Sequence, residues 1–192
     1  MEIFRNWLFP ALWIAYIVYW RSVAPAADAH SNERLEPASS RIARLLVFLL
    51  ALALLGIGRT GIPALDKRFL PLAAWCFWLG AATTAAGLLF SVWARGHLGN
   101  NWSQAVALKQ DHQLITSGPY ALVRHPIYTG LLTGFLGTAI ARGQWRGLLS
   151  VVIVAAMLCR KLMLEETWMQ ERFGDSYTAY RRRVARIVPY LI

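Results

Sequence analysis

The stretch Gly118-Pro119-Tyr120-Ala121-Leu122-Val123-Arg124-His125-Pro126-Ile127-Tyr128-Thr129-Gly130 joins a polar segment to an apolar run. Pro119 and Pro126 both suit the first turn of a helix, where the amide hydrogen that proline lacks would go unpaired. The stretch therefore predicts a helix that begins near Pro126, with Arg124 and His125 at its mouth. Charged and titratable groups at the end of an apolar helix are costly unless something binds them, so this is a candidate site. The alternative is a basic anchor whose side chains face lipid headgroups.

The composition of the 192 residues indicates a membrane protein. Apolar residues make up 57% and charged residues 16%, and the mean hydropathy is +0.40, whereas soluble domains are about half apolar and about a quarter charged. The net charge of +10 does not indicate nucleic-acid binding, because the basic residues fall between apolar runs and in the tail, without a nucleic-acid-binding motif. Both cysteines lie inside apolar runs without metal-ligand spacing, so no metal site is expected.

Five apolar runs predict an all-α, polytopic integral membrane protein with about five transmembrane helices. The runs cover residues 3–20, 42–58, 70–93, 127–141 and 148–164. Small residues in the third run, such as Gly80 and Gly87, allow neighbouring helices to approach closely. The fourth run is short for a full crossing and is expected to form a helical hairpin with the fifth. Residues 165–192 predict a basic, amphipathic C-terminal helical segment at anionic headgroups.

The basic residues predict which loops share one side of the membrane. With five spans, the first loop, the third loop and the tail hold most of the 20 Lys and Arg residues. The N-terminus and the second and fourth loops hold the rest. The positive-inside rule then places the third loop and the tail in the cytoplasm, so a site that they share faces that compartment.

Two adjacent carboxylates, Glu165 and Glu166, follow the fifth run. Carboxylates near a membrane face are unfavourable unless they pair with cations or bind one. Lys161 lies four residues before Glu165 and can pair with it on one helix face. That structural pairing leaves Glu166 unexplained, so both a structural and a ligand-binding interpretation stay open.

Several segments of the second half resemble the isoprenylcysteine carboxyl methyltransferase family. They are Gly99-Asn100-Asn101-Trp102-Ser103, His112-Gln113-Leu114-Ile115, the stretch from Gly118 to Gly130, Glu165-Glu166, and the tail from Phe173 to Tyr180 with Arg186 and Pro189. They follow the family's order and spacing over about half of the chain. The wider group also includes phospholipid N-methyltransferases and the C-terminal part of sterol reductases. The resemblance implies one membrane methyltransferase domain, with three helices in residues 1–98 and the cofactor-binding catalytic half in residues 99–192.

The resemblance also implies the cofactor S-adenosylmethionine and a set of contacts to it. Carried over by position, these contacts are His112, Leu114, Ile115, Gly118, Tyr120, His125, Pro126, Tyr128, Glu165 and Glu166. Arg124 joins them on physical grounds, because a cation beside a helix N-terminus suits the cofactor carboxylate. Tyrosine faces suit its sulfonium, and a glutamate can accept hydrogen bonds from its ammonium. Ala121 and Leu122 depart from the family, in which a basic or aromatic residue often follows the tyrosine, and this departure bears on the substrate.

The resemblance implies carboxyl O-methylation of an isoprenylcysteine-like carboxylate, on a lipophilic or lipidated substrate that enters from the bilayer. In a bacterium the enzyme would lie in the cytoplasmic membrane. Arg160 and Glu165 are the candidate catalytic residues, with Arg160 orienting an anionic substrate or, alternatively, contacting lipid phosphate. No histidine beyond His112 and His125 has a neighbouring carboxylate, and a site without a spare base suits an acceptor that is already ionised. Two alternatives stay open: a phospholipid N-methyltransferase and a non-catalytic membrane scaffold that binds no cofactor.

Overall fold

The structure, a computed structural model, describes residues 2–23, 32–35, 37–99, 107–109 and 114–189. This part of the chain forms seven helices and two short strands. They are α1 (Glu2–Ser22), β1 (Asn32–Leu35), α2 (Ala38–Gly56), α3 (Pro63–Asp66), α4 (Ala74–Leu98), β2 (Ala107–Lys109), α5 (Pro119–Leu122), α6 (Pro126–Arg142) and α7 (Trp145–Arg183). By length and composition, α2, α4 and α7 can each cross a membrane. The predicted class, a polytopic helical membrane protein, is confirmed.

Each predicted apolar run falls largely within a helix, but α7 differs most from its prediction. It extends over 39 residues, whereas the apolar pattern stops at residue 164. Glu165 and Glu166 therefore lie within a helix and not at its exit. The helix is broken at Gly174, where φ is 50° and ψ is −122°, a conformation that is accessible mainly to glycine. This break turns the last residues of the tail back toward the start of α6.

α4 packs most extensively against α6, and glycines on both helices make this contact close. A Cβ atom on Gly80 would lie 2.5 Å from the carbonyl oxygen of Gly137, and one on Gly87 would lie 2.6 Å from that of Gly130. The two backbones thus meet without side chains between them, as is common for helices packed in membranes. This confirms the role predicted for the small residues of the third run.

Buried polar side chains attach α1 to the same pair of helices. Trp13 Nε1 donates a hydrogen bond to Thr138 Oγ1 of α6 at 3.1 Å, and the hydroxyls of Tyr16 and Ser91 lie 2.8 Å apart. Phe135 is fully buried and its ring packs edge-on to that of Trp13. In a lipid environment such polar pairs hold helices together where apolar contact alone gives little preference over lipid.

Contacts between loops sort the helix ends into two groups. At one end, β1 pairs antiparallel with β2 and so joins the first loop to the third, and Arg95 Nη2 donates to the Val23 carbonyl at 3.0 Å. At the other end, Arg146 Nη2 donates to the Gly58 carbonyl at 3.0 Å and joins the start of α7 to the second loop. This is the grouping that the basic residues predicted. The strands were not predicted, because each is short and lies in a segment without an apolar pattern.

Candidate functional site

Two short turns precede the N-terminal end of α6, which is called its mouth below. α6 begins at Pro126, as predicted, and His125 is its N-terminal cap residue. The preceding helix α5 begins at Pro119, after Gly118 with a φ of 59°. A Cβ atom on Gly118 would lie within 2.7 Å of the His97 ring. Both the backbone conformation and the close ring therefore require glycine here.

A short segment of the tail, residues 184–187, crosses the mouth of α6 and is called the tail strap below. Hydrogen bonds to residues at the mouth of α6 hold it. Arg124 N donates to Ala185 O at 2.8 Å, His125 N donates to Arg186 O at 3.1 Å, and Thr129 Oγ1 donates to Ile187 O at 2.7 Å. The strap reaches this position because the break at Gly174 reverses the direction of the chain. The tail is thereby at the same end as the first and third loops.

His125 lies between the two glutamates of α7. Its Nδ1 is 3.6 Å from Glu165 Oε2, and its Nε2 is 3.2 Å from Glu166 Oε1. Its ring stacks on Tyr128, with centroids 5.5 Å apart and planes 4° from parallel. Burial opposes a charge on His125, but the hydrogen bonds and charges of the two glutamates outweigh it, so the pKa of His125 is raised above 6.5. This histidine therefore stays protonated over a wider pH range than a solvated one.

Glu166 is surrounded by cations. Its Oε1 lies 3.0 Å from Arg124 Nη2, and its Oε2 lies 2.7 Å from Arg186 Nη2. Arg124 is itself buried, and its Nη1 donates to two backbone carbonyls of the tail. The guanidinium that the sequence assigned to the cofactor carboxylate is thus engaged inside the protein. Glu166, which the sequence left unexplained, has its partners in Arg124, Arg186 and His125.

Glu165 is less fully engaged. The Tyr128 hydroxyl donates to its Oε1 at 2.5 Å, and Lys161 Nζ lies 3.7 Å from the same oxygen, which confirms the predicted pairing of Lys161 with Glu165. The Lys161 ammonium also lies 5.3 Å from the centroid of the Tyr128 ring. The side chain of Glu165 is 25% exposed against 5% for Glu166. Its Oε2, with the 3.6 Å contact to His125, can accept a further hydrogen bond.

The structure describes most of the remaining residues that the sequence assigned to the site. Tyr120 is buried and accepts a hydrogen bond on its carbonyl from the Tyr180 hydroxyl at 2.6 Å; burial raises the pKa of Tyr120, and the charge of Glu165 raises it further. Leu114 and Ile115 are half-buried, Gly118 is exposed and Pro126 is buried. Arg160 is exposed on α7. His112 and the segment from Asn100 to Ser103 lie outside the described residues.

Arg186 is the member of this cluster that the sequence did not assign to the site. It completes the neutralisation of Glu166 from the tail strap, 20 residues further along the chain. The sequence offered two signals: the family resemblance includes Arg186, and a second carboxylate needs a cation. Spacing could not identify the partner, because the contact exists only once the chain has reversed at Gly174.

The sequence profile of the phospholipid methyltransferase family matches residues 75–176, from the start of α4 to just past the break in α7. A protein-S-isoprenylcysteine O-methyltransferase of Schizosaccharomyces pombe is 36% identical over 96 residues, which are 48% of this chain and 41% of that protein. A steroid 5-alpha-reductase of Solanum lycopersicum is 29% identical over 108 residues, which are 56% of this chain and 40% of that protein. The chain spans less than half of the length of these relatives.

A solved structure of a eukaryotic isoprenylcysteine carboxyl methyltransferase aligns with 80% of this chain and 52% of that one, at 21% identity and a TM-score of 0.46. The assignment to a family rests on the family profile. It takes in more than half of the chain, including α6 and both glutamates of α7. This protein belongs to the phospholipid methyltransferase family.

Proposed function

We propose that this protein transfers a methyl group from S-adenosylmethionine to the carboxylate of a lipophilic, isoprenylcysteine-like substrate that arrives from the bilayer. The observation that carries the proposal is the cluster of His125, Tyr128, Glu165 and Glu166 at the mouth of α6. The cluster lies within residues 75–176, which match the phospholipid methyltransferase family. The same end of the bundle carries the first loop, the third loop and the tail, so we place the site at the cytoplasmic face.

The residues at the mouth of α6 fit a cationic cofactor. The Lys161 ammonium lies beside Glu165 and over the Tyr128 ring, a setting of carboxylate and aromatic face that favours a cation. The flexible lysine side chain can move aside, and the ammonium or sulfonium of the cofactor would find the same partners. Leu114 and Ile115, both half-buried, and the buried Tyr120 would supply apolar contacts. S-adenosylmethionine would bring a methyl group on a sulfonium, which is already an activated electrophile.

The two glutamates have different roles in this proposal. Glu165 holds the cofactor, because its Oε2 keeps hydrogen-bonding capacity. Glu166 holds the site together, because it joins Arg124, His125 and Arg186 from three parts of the chain. The remaining task of the protein is to position the acceptor in line with the methyl group and to exclude water. Arg160, exposed on α7, is the candidate to orient an anionic acceptor, with lipid phosphate contact as its alternative role.

A carboxylate acceptor agrees with the histidines that the structure describes. His125 is held between two glutamates, and His97 Nε2 is paired with Ser117 Oγ at 2.9 Å. A carboxylate is ionised at neutral pH and needs no base, whereas an amine arrives protonated and needs one. The second candidate function, N-methylation of a phospholipid amine, is favoured by the description of the matching family.

The first experiment compares Glu165→Gln with Glu166→Gln in detergent-purified protein. We expect Glu165→Gln to raise the Kd for S-adenosylmethionine by about 10- to 150-fold, since a charge-assisted hydrogen bond contributes about 1.5–3 kcal/mol, and to leave the Tm nearly unchanged. Glu166→Gln should mainly destabilise the fold, by about 3–5 kcal/mol, because it leaves the buried Arg124 unpaired. An unchanged Kd in Glu165→Gln contradicts the cofactor placement. If the wild-type protein binds no S-adenosylmethionine, the result supports the alternative that the protein is a non-catalytic membrane scaffold.

The second experiment identifies the product. Protein in lipid nanodiscs is supplied with methyl-labelled S-adenosylmethionine and either a prenylcysteine analogue or phosphatidylethanolamine. We expect the labelled methyl group to appear in the prenylcysteine analogue. Mild alkali should release it, because a methyl ester is hydrolysed by alkali. Alkali-stable label in phosphatidylethanolamine would contradict carboxyl methylation and support the phospholipid N-methyltransferase function.

A further inference from the structure

A cavity of about 700 Å³ opens beside the tail strap, beyond the break at Gly174. It is lined by Arg124, Thr178, Arg181, Arg182, Arg186, Ile187 and Val188. Four of these seven residues are arginines, and no acidic residue is among the described residues that line the cavity. The cavity therefore presents a strongly basic wall.

The charge of this wall is not balanced within the described part of the chain. Arg124 and Arg186 both pair with the single carboxylate of Glu166. Arg181 and Arg182 bring two further positive charges to the same cavity. Like charges collected around one space repel each other unless an anion lies between them. An anion bound in the cavity would therefore reduce the repulsion among these arginines.

The arginines and apolar residues that line the cavity indicate which kind of anion it would bind. The planar guanidinium fork matches the oxygens of a phosphate and binds it with two hydrogen bonds. Arg182 is exposed and the side chain of Arg186 is 43% exposed, so both guanidinium groups are accessible from solvent. Ile187 and Val188 form an apolar lip on the cavity, and Val188 is 54% exposed. A basic wall with an apolar lip at one end of the bundle suits the head of an anionic amphiphile.

We propose that this cavity is a phosphate-binding site, separate from the site at Glu165, that takes the phosphate of an anionic phospholipid headgroup or free phosphate. The site goes beyond the proposed methyl transfer and does not depend on it. Arg181 and Arg182 are its distinguishing residues, because Arg124 and Arg186 also belong to the Glu166 cluster.

The test uses the full chain in a nonionic detergent and the double variant Arg181→Gln/Arg182→Gln. The backbone carbonyl of Arg181, and not its side chain, is what Arg124 contacts, so the variant leaves that hydrogen bond in place. The matched control is Arg41→Gln/Arg59→Gln, which removes the same charge from two exposed arginines that do not line the cavity. The probes are inorganic phosphate, dihexanoyl phosphatidylglycerol, and dihexanoylglycerol, which lacks the phosphate. S-adenosylmethionine binding and Tm are measured on every variant.

We expect a phosphate-bearing probe to bind saturably. Arg181→Gln/Arg182→Gln should raise its Kd by about 10-fold or more, and the control variant should change that Kd by less than about 2-fold. Binding of phosphatidylglycerol alone assigns the site to a lipid headgroup, and comparable binding of inorganic phosphate assigns it to the phosphate group itself. The proposal is overturned if no probe saturates, if dihexanoylglycerol binds equally well, or if both double variants lose affinity equally. Loss of S-adenosylmethionine binding in Arg181→Gln/Arg182→Gln also overturns it, because the cavity would then belong to the cofactor. If the double variant fails to fold, the single variant Arg182→Gln, at an exposed position, decides the question.

Discussion

Adjacent glutamates repel each other, yet α7 holds Glu165 and Glu166 side by side close to the mouth of α6. The two carboxylates are separated by His125, which contacts one with each ring nitrogen. Each then has its own cations, Lys161 for the first and Arg124 with Arg186 for the second. The imidazole therefore contacts both carboxylates, each of which has its own cations, and makes them part of one site. Its protonation state affects both glutamates at once.

The raised pKa of His125 predicts a stability that falls as the pH rises. Because the folded-state pKa lies above the unfolded value of about 6.5, protonated His125 contributes stability that is fully present below about pH 6.5 and is lost as the pH rises through the folded-state pKa. We expect the Tm of the wild type to fall as the pH rises above about 6.5, by more than the Tm of His125→Gln falls. The difference between the two profiles, measured in one detergent, isolates this residue. Parallel profiles would show that the charge of His125 does not stabilise the fold.

At the scale of the helices, the site depends on elements that are fixed by glycine. Gly174 allows α7 to break, and the strap beyond it supplies Arg186 and the carbonyls that bind Arg124. Gly87 allows α4 and α6 to meet backbone to backbone. The position of His125 relative to the two glutamates is therefore a consequence of how α6 lies between α4 and α7.

The contact between α4 and α6 gives a prediction with a control in the same helix. Gly87→Ala would place a Cβ atom 2.6 Å from the Gly130 carbonyl oxygen, whereas nothing lies within 4 Å of a Cβ atom on Gly96. We expect Gly87→Ala to destabilise the protein by about 1–3 kcal/mol through overpacking. Gly96→Ala should leave stability unchanged or raise it by up to about 1 kcal/mol, since alanine favours helix. The measurement is unfolding of both variants in mixed micelles. Equal stabilities of the two variants would contradict the close packing.

At the scale of the whole molecule, the two groups of helix ends predict opposite accessibility across the membrane. Ser22 and Ser176 lie at the end that carries the strap, and Arg59 lies at the other end; all three are exposed. In a background without Cys76 and Cys159, we expect cysteines at Ser22 and Ser176 to react from the cytoplasmic side. A cysteine at Arg59 should react from the opposite side. Membrane-impermeant thiol reagents applied to intact cells and to inverted vesicles provide the measurement. Labelling of all three from one side would contradict the two-ended arrangement.

The sequence by itself determined what depends on local pattern. Apolar runs predicted the long helices, Pro126 marked the start of α6, and the distribution of basic residues predicted which loops share an end. The pairing of Lys161 with Glu165 followed from their spacing of four residues. Each of these rests on neighbours along the chain, whose relative positions are set as soon as the helix forms.

Only the tertiary structure decided which cations pair with Glu166. Arg124 and Arg186 reach Glu166 across separations of 42 and 20 residues, and the arginine cavity and the pairing of β1 with β2 are likewise non-local. Neither periodicity nor spacing encodes such contacts. The contact of Arg186 with Glu166 forms because the chain beyond the break at Gly174 returns to the mouth of α6. Glu166 then has the cations that make the burial of a carboxylate favourable.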